Sequence, residues 1–154
     1  MGKEIERKFL VANDCWKNHI ERKYNFLQAY ISHRREGIVR LRICDNKAYL
    51  TIKGITIGIE RHEWEYEIPI TDALEMLHNN ICEGDYLEKT RYIVKYEGYT
   101  WEIDEFHGKL EGLVLAEIEL NCSQDCPPLP LFIGEEVSGN PKYFNSVLNK
   151  SQTF

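Results

Sequence analysis

Glu4-Ile5-Glu6-Arg7-Lys8 opens the chain with a strict alternation. Successive side chains of an extended strand point to opposite faces, so Glu4, Glu6 and Lys8 share one face, two carboxylates beside an ammonium. Such a face makes a poor core and a good binding wall. The pattern returns as Arg40-Leu41-Arg42, Leu50-Thr51-Ile52-Lys53, Glu63-Trp64-Glu65-Tyr66-Glu67, Lys89-Thr90-Arg91, Trp101-Glu102-Ile103-Asp104 and Glu117-Ile118-Glu119-Leu120. The polar side of an ordinary half-buried strand mixes Thr, Ser, Gln and Lys; here it is almost wholly ionic.

The charges of like parity are basic at Lys8, Arg40, Arg42, Lys53, Lys89 and Arg91, and acidic at Glu4, Glu6, Glu63, Glu65, Glu67, Glu102, Asp104, Glu117 and Glu119. Two arrangements hold such a set. Each strand turns its charges to bulk water, or the strands close into a barrel with a wet, charged lumen and a covered apolar outside. Repetition favours the second, because outward charges need no matched Arg-x-Arg and Glu-x-Glu sets. Nor do they need Trp64, Tyr66, Trp101 and Ile103 on the opposite side, where Trp64 and Trp101 are expected to pack against outer helices.

The chain of 154 residues is long enough for one domain, residues 1–154, burying about two-thirds of its unfolded surface. A net charge of −6 disfavours nucleic acid as a partner. No apolar run approaches ~18 residues, and no signal-peptide core follows Met1-Gly2-Lys3, so no membrane span and a cytoplasmic location are expected. The five cysteines form an odd set without a Cys-x-x-Cys pair, which fits reduced thiols. Cys122 and Cys126 have a spacing found in zinc sites but lack a second pair nearby.

Along the chain, residues 3–11 read as a strand, and Asn13-Asp14 caps a short helix in which Trp16, Ile20 and Tyr24 repeat at helical spacing. Strands follow at 26–32, 38–44 and 47–53, the last two joined by an Asp45-Asn46 turn. Gly54 to Gly58 is a flexible connection, residues 60–70 are a strand, and Thr71-Asp72 caps a helix through Asn79. Strands at 86–96, 99–106 and 113–121 complete eight, with a tight Glu97-Gly98 turn. Pro127, Pro128 and Pro130 forbid regular pairing and mark a loop, and Pro141 starts a terminal helix through Lys150, with a frayed tail after Ser151.

These residues carry a resemblance. Glu4-x-Glu6-x-Lys8 followed by Phe9-Leu10-Val11 resembles the opening signature of the CYTH superfamily, the triphosphate tunnel metalloenzymes. Arg40-x-Arg42, Thr51-x-Lys53-Gly54, Glu65-Tyr66-Glu67-Ile68, Lys89-x-Arg91, Trp101 to Phe106 and Ala116 to Glu119 match the remaining family motifs in order. Asn140-Pro141-Lys142-Tyr143-Phe144-Asn145-Ser146 is similar to a motif near the end of short bacterial members.

The resemblance implies an α+β, mainly β fold: an eight-stranded antiparallel closed barrel, open at its ends, with helices packed outside. It implies a metal-dependent triphosphatase acting on a small anionic triphosphate, above all inorganic tripolyphosphate. Class IV adenylyl cyclase, thiamine triphosphatase and a non-catalytic polyphosphate sensor stay as alternatives, and a homodimer is left open. Lys8, Arg40, Arg42, Lys53, Lys89 and Arg91 are the expected substrate cations, the guanidinium groups forking onto phosphate oxygens. Glu6, Glu117, Glu119 and Asp104 are the expected ligands of Mg²⁺ or Mn²⁺, and Glu4 and Glu65, with Lys8, the expected catalytic groups that orient or activate water.

Overall fold

The computed structural model describes residues 2–148. Ten strands form one antiparallel sheet: β1 (Glu4–Val11), β2 (Ile20–Arg34), β3 (Gly37–Cys44), β4 (Lys47–Lys53), β5 (Glu60–Arg61), β6 (Glu63–Ile68), β7 (Glu83–Tyr96), β8 (Tyr99–Phe106), β9 (Val114–Glu119) and β10 (Ile133–Glu136). Two α-helices accompany them, α1 (Ile70–His78) and α2 (Asn145–Leu148). The sheet runs β10-β1-β9-β8-β7-β2-β3-β4-β6, with β5 paired to β1 off this path.

The expected closed barrel of eight strands is corrected to this open, curled sheet, and the reason lies on β1. One edge of β1 pairs with β9. Its other edge, which β6 would need for closure, is divided between β5, at Glu4↔Arg61 and Ile5↔Glu60, and β10, at Phe9↔Glu136 and Val11↔Ile133. The two ends of the sheet thus meet through β5, which runs on into β6 after His62, and through a hydrogen bond from the Glu63 amide to the Gly2 carbonyl (3.3 Å). Strand β10 follows the prolines that were expected to forbid pairing.

Hairpin chemistry is as the residues demand. Asp45 (φ 55°) and the Glu97-Gly98 pair (φ 50° and 79°) adopt the left-handed region that two-residue turns require, closing Cys44 onto Lys47 and Tyr96 onto Tyr99. Three local expectations fail. The helix over Trp16 to Tyr24 is a 3₁₀ turn at Cys15–His19 followed by β2, because Ile20 and Tyr24 are drawn into the ladder with β7. Helix α1 starts after Pro69, which occupies the N-cap position without a side-chain cap, rather than at a Thr71-Asp72 cap, and Asp72 lies in its first turn, complementing the dipole. Pro141 begins a 3₁₀ turn, Pro141–Tyr143, before α2; the expected continuation to Lys150 and the frayed tail lie outside the described residues.

Apolar clusters cover the convex face. One joins Ile5, Phe9, Trp16, Trp101, Ile103, Ile118 and Phe132; a second sets Ala73 and Leu77 of α1 against Ala29, Leu41 and Ala48. A third brings Leu148 of α2 onto Leu87, Phe106, Leu110, Leu113 and Leu115. Each large side chain buried in this way contributes about 1.5–3 kcal/mol. Trp101 is fully buried with its ring 5.5 Å from Phe9 of β1, whereas Trp64, expected to pack on an outer helix, remains 39% exposed and stacks on His62. No helix among the described residues is long and apolar enough to cross a membrane.

Candidate active site

With bulk facing out, the alternating charges face in, and the curled sheet encloses a cavity of about 230 Å³. Seven basic and seven acidic side chains line it. Lys8, Arg40, Arg42, Lys53, Lys89 and Arg91 are all among them, as are Glu4, Glu6, Glu65, Glu117 and Glu119. Arg61, Glu63 and Glu102 join them. Glu67 does not; it pairs with Lys47 on the surface, 3.7 Å away.

Strand register sets the partnerships. Lys8 lies opposite Glu117 across β1–β9, and its Nζ is 3.3 Å from the Glu117 carboxylate. Arg40 lies opposite Thr51, which lies opposite Glu65; Arg40 donates to Thr51 Oγ1 (3.2 Å) and Glu65 (3.3 Å), and Thr51 donates to Glu65 at 2.7 Å. Lys53 bridges Glu63 (3.2 Å) and Glu4 (3.4 Å), and Arg61 donates to Glu4 at 3.2 Å. Arg91 binds Asp104 through two nitrogens (2.7 and 2.8 Å), Glu102 at 2.7 Å and Glu117 at 3.2 Å. Arg40 Nε is buried without a hydrogen-bond partner, a donor left over in the wall of the cavity.

Asp104 stands apart from the expected metal ligands. It is fully buried behind Lys89 and Arg91 and does not line the cavity. Against its burial, those two cations hold its carboxyl below the usual range.

The remaining acids divide by environment. Burial would raise Glu4, but Lys53, a hydrogen bond with Glu63, and Arg61 hold it far below the ordinary value. Glu117 is likewise held well down against burial by Lys8, Arg91 and Lys89. Glu6 is pushed well up by burial and then by Glu117 and Glu4. Burial also raises Glu102, where Arg91 opposes it and Glu117 adds to it, and Glu119, where Glu4 and Glu102 add to it. Glu6 and Glu119, which face each other across β1–β9, are therefore carboxylates without an ion-pair partner among the described residues, which is the donor chemistry that suits a hard divalent cation. Among the described residues no three His, Cys, Asp or Glu side chains already form a metal cage.

Residues with no charge to betray them complete the site. Phe144, Asn145 and Ser146 line the cavity, Lys8 Nζ donates to the Tyr143 carbonyl at 2.9 Å, and Lys89 Nζ donates to Asn145 Oδ1 at 3.1 Å. The terminal motif was visible in the sequence, but not that it folds back onto β1 and β7. A second cavity of about 440 Å³ adjoins the first through Ile38, Arg61, Phe144 and Ser146, and Arg35 stands at it. Cys122 and Cys126 are exposed free thiols away from the charged lumen.

A curled antiparallel sheet with rows of cations and carboxylates on its concave face defines a polyanion-binding tunnel protein. The chain belongs to the CYTH domain family, whose model matches residues 2–154. It is 47% identical over 151 residues to an inorganic triphosphatase of Acetivibrio thermocellus, covering 98% of this chain and 96% of that protein. An inorganic triphosphatase of Nitrosomonas europaea is 37% identical over 150 residues, 94% of this chain and 95% of that one. The solved structure of the inorganic triphosphatase NE1496 superimposes with a TM-score of 0.69 at 31% identity, over 97% of this chain and 99% of the other.

Proposed function

We propose that the chain hydrolyses inorganic tripolyphosphate to pyrophosphate and phosphate, with Mg²⁺ or Mn²⁺, by attack of water within the cavity. The supporting relatives are inorganic triphosphatases similar over nearly their whole length. The observation that carries the reading is the charge balance of the lumen. Seven cations face seven carboxylates, so a polyanion entering alone would be left undercompensated, whereas one entering with divalent cations would not.

In this reading Lys8, Arg40, Arg42, Lys53, Lys89 and Arg91 grip the phosphate oxygens from β1, β3, β4 and β7, and catalysis is positioning plus electrostatic stabilisation. Glu6, Glu117 and Glu119 would hold the ion, which would neutralise charge on the phosphoryl oxygens and lower the pKa of its water. Asp104 leaves the ligand set and instead fixes Lys89 and Arg91. Glu4, kept ionised by Lys53 and Arg61, is a weak base suited to orienting water. Glu65, held by Thr51 and Arg40, does the same from β6. One domain over 1–154 and a cytoplasmic setting accompany the proposal.

The test is phosphate release from tripolyphosphate, ATP, GTP, thiamine triphosphate and pyrophosphate with Mg²⁺ or Mn²⁺, alongside a cyclic-AMP assay. Tripolyphosphate should lead the ranking. Preferred turnover of ATP to cyclic AMP would replace this reading with a cyclase.

A further inference from the structure

We infer that Phe26 and Gln28 are positioning residues, a neutral cradle on β2 that holds the Arg42 guanidinium without a counter-charge so that it receives a phosphoryl group of the substrate. The inference rests on the triphosphate reading above. Lys8, Arg40, Lys53, Lys89 and Arg91 each have a carboxylate at ion-pair distance. Among the described residues Arg42 has none. Its Nε donates to Gln28 Oε1 at 2.9 Å, and its guanidinium carbon stands 4.3 Å from the centre of the Phe26 ring.

The cradle is built and fixed. Gln28 is completely buried, lies opposite Arg42 in the β2–β3 ladder, and donates its own Nε2 to the Tyr30 hydroxyl at 3.3 Å. Phe26, two residues earlier on the same face, carries Arg91 at 5.3 Å and Lys89 at 5.9 Å as well as Arg42. A carboxylate at either position would pair with these cations and compete with phosphate. An amide oxygen and a ring face support a cation without neutralising it. Because Gln28 takes only Nε, the two terminal nitrogens of Arg42 make no protein hydrogen bond among the described residues and are free to fork onto phosphate. Burial, Arg40 and Arg91 push Arg42 down to about 9, so an arriving anion relieves repulsion already present.

The test measures metal-free binding of tripolyphosphate and pyrophosphate by calorimetry, with steady-state turnover and thermal melting, for Gln28→Glu, Phe26→Leu and Phe26→Tyr. Gln28→Glu should weaken tripolyphosphate binding by at least roughly tenfold at neutral pH, the scale of losing a charge-assisted hydrogen bond. It should melt no lower than the parent, and binding should recover as pH falls and the introduced carboxylate is protonated. Phe26→Leu should raise KM more than it lowers kcat, and Phe26→Tyr should restore both. Parental binding in both Gln28→Glu and Phe26→Leu overturns the cradle, as does an equal loss in the Leu and Tyr variants at position 26. If Gln28→Glu does not fold, the Phe26 pair decides. A parent that binds tripolyphosphate but hydrolyses no triphosphate refutes the hydrolase reading and leaves the cradle standing.

Discussion

Lys89 and Asp104 form an ion pair in which neither side chain has any exposed surface, Nζ lying 2.6 Å from Oδ2 across β7–β8. The same carboxylate also binds Arg91 through two nitrogens, so one acid anchors two cations of the cavity wall. A pair of this kind is bistable in its cost: intact it breaks roughly even, but loss of one partner strands the other in low dielectric.

Asp104→Asn should therefore destabilise the protein by about 3–5 kcal/mol, the cost of breaking a buried pair. Added tripolyphosphate should recover part of the lost melting temperature by supplying negative charge to Lys89 and Arg91. The Mg²⁺ concentration for half-maximal activity should stay near the parental value. A large increase in that concentration with unchanged stability would return Asp104 to the metal ligands.

Glu6→Gln removes a charge that the fold already disfavours. A carboxyl whose folded pKa lies above its unfolded one loses stability as pH rises through that interval, so at neutral pH the Gln variant should melt at or above the parental temperature. Turnover should nevertheless fall by roughly 100-fold or more, and likewise for Glu119→Gln, the scale of losing an important electrostatic contribution in the transition state. Tripolyphosphate binding under chelation should survive in both. Near-normal turnover at limiting metal would place the ion elsewhere.

Exhaustive chelation should abolish phosphate release from tripolyphosphate, and Mg²⁺ or Mn²⁺ should restore it. Equal turnover with and without chelator, followed by phosphate release, would remove the metal from the proposal.

Burial pushes the Lys89 ammonium down to about 7, with Arg91 and Arg42 adding to it and Asp104 opposing. In the unfolded chain the same lysine keeps its proton to about 10.4. Between these values the unfolded state binds more protons, so this group makes the free protein more stable as pH rises. Bound tripolyphosphate recharges Lys89, so binding should take up protons and weaken with rising pH across that window. Calorimetry near pH 8.5 in two buffers of different ionisation enthalpy reads the uptake. Tripolyphosphate carries a proton of its own near this pH, so the lysine's share is the difference in uptake between the parent and Lys89→Met, and equal uptake in the two would contradict it.

Arg40→Ala and Arg42→Ala should both weaken triphosphate binding, with different effects on stability. Arg40 is tied to Thr51 and to Glu65, an exposed acid that Thr51 still holds, whereas removal of Arg42 leaves the buried Gln28 Oε1 without its donor. Arg42→Ala should thus lose affinity and also about 1–3 kcal/mol of stability, the cost of leaving a buried acceptor unpaired. Unchanged kinetics in both variants, with both folds intact, would reduce these arginines to wall charges.

Alternation alone determined which residues share a face: Glu4, Glu6 and Lys8, Arg40 and Arg42, Lys89 and Arg91, Glu117 and Glu119 all turn inward as their parity requires. The two-residue turns at Asp45-Asn46 and Glu97-Gly98 were equally legible, because left-handed backbone is a property of a few residues. Closure was not, since whether β6 reaches β1 depends on a competitor, β10, more than a hundred residues from β1 in the chain. The 3₁₀ turn at Trp16 and the long β2 were decided in the same way, by the ladder that β7 offers rather than by local spacing. Within the site, parity placed Asp104 with the other acids, but only the fold showed Lys89 and Arg91 standing between it and the opening. Phe26, Gln28 and Asn145 carry no charge, so no pattern of charge marks them; their roles arise from which cation the register sets beside each. Periodicity is a local property of the chain, while ion pairing and access to the cavity are decided by strands distant in sequence, and those only the tertiary structure brings together.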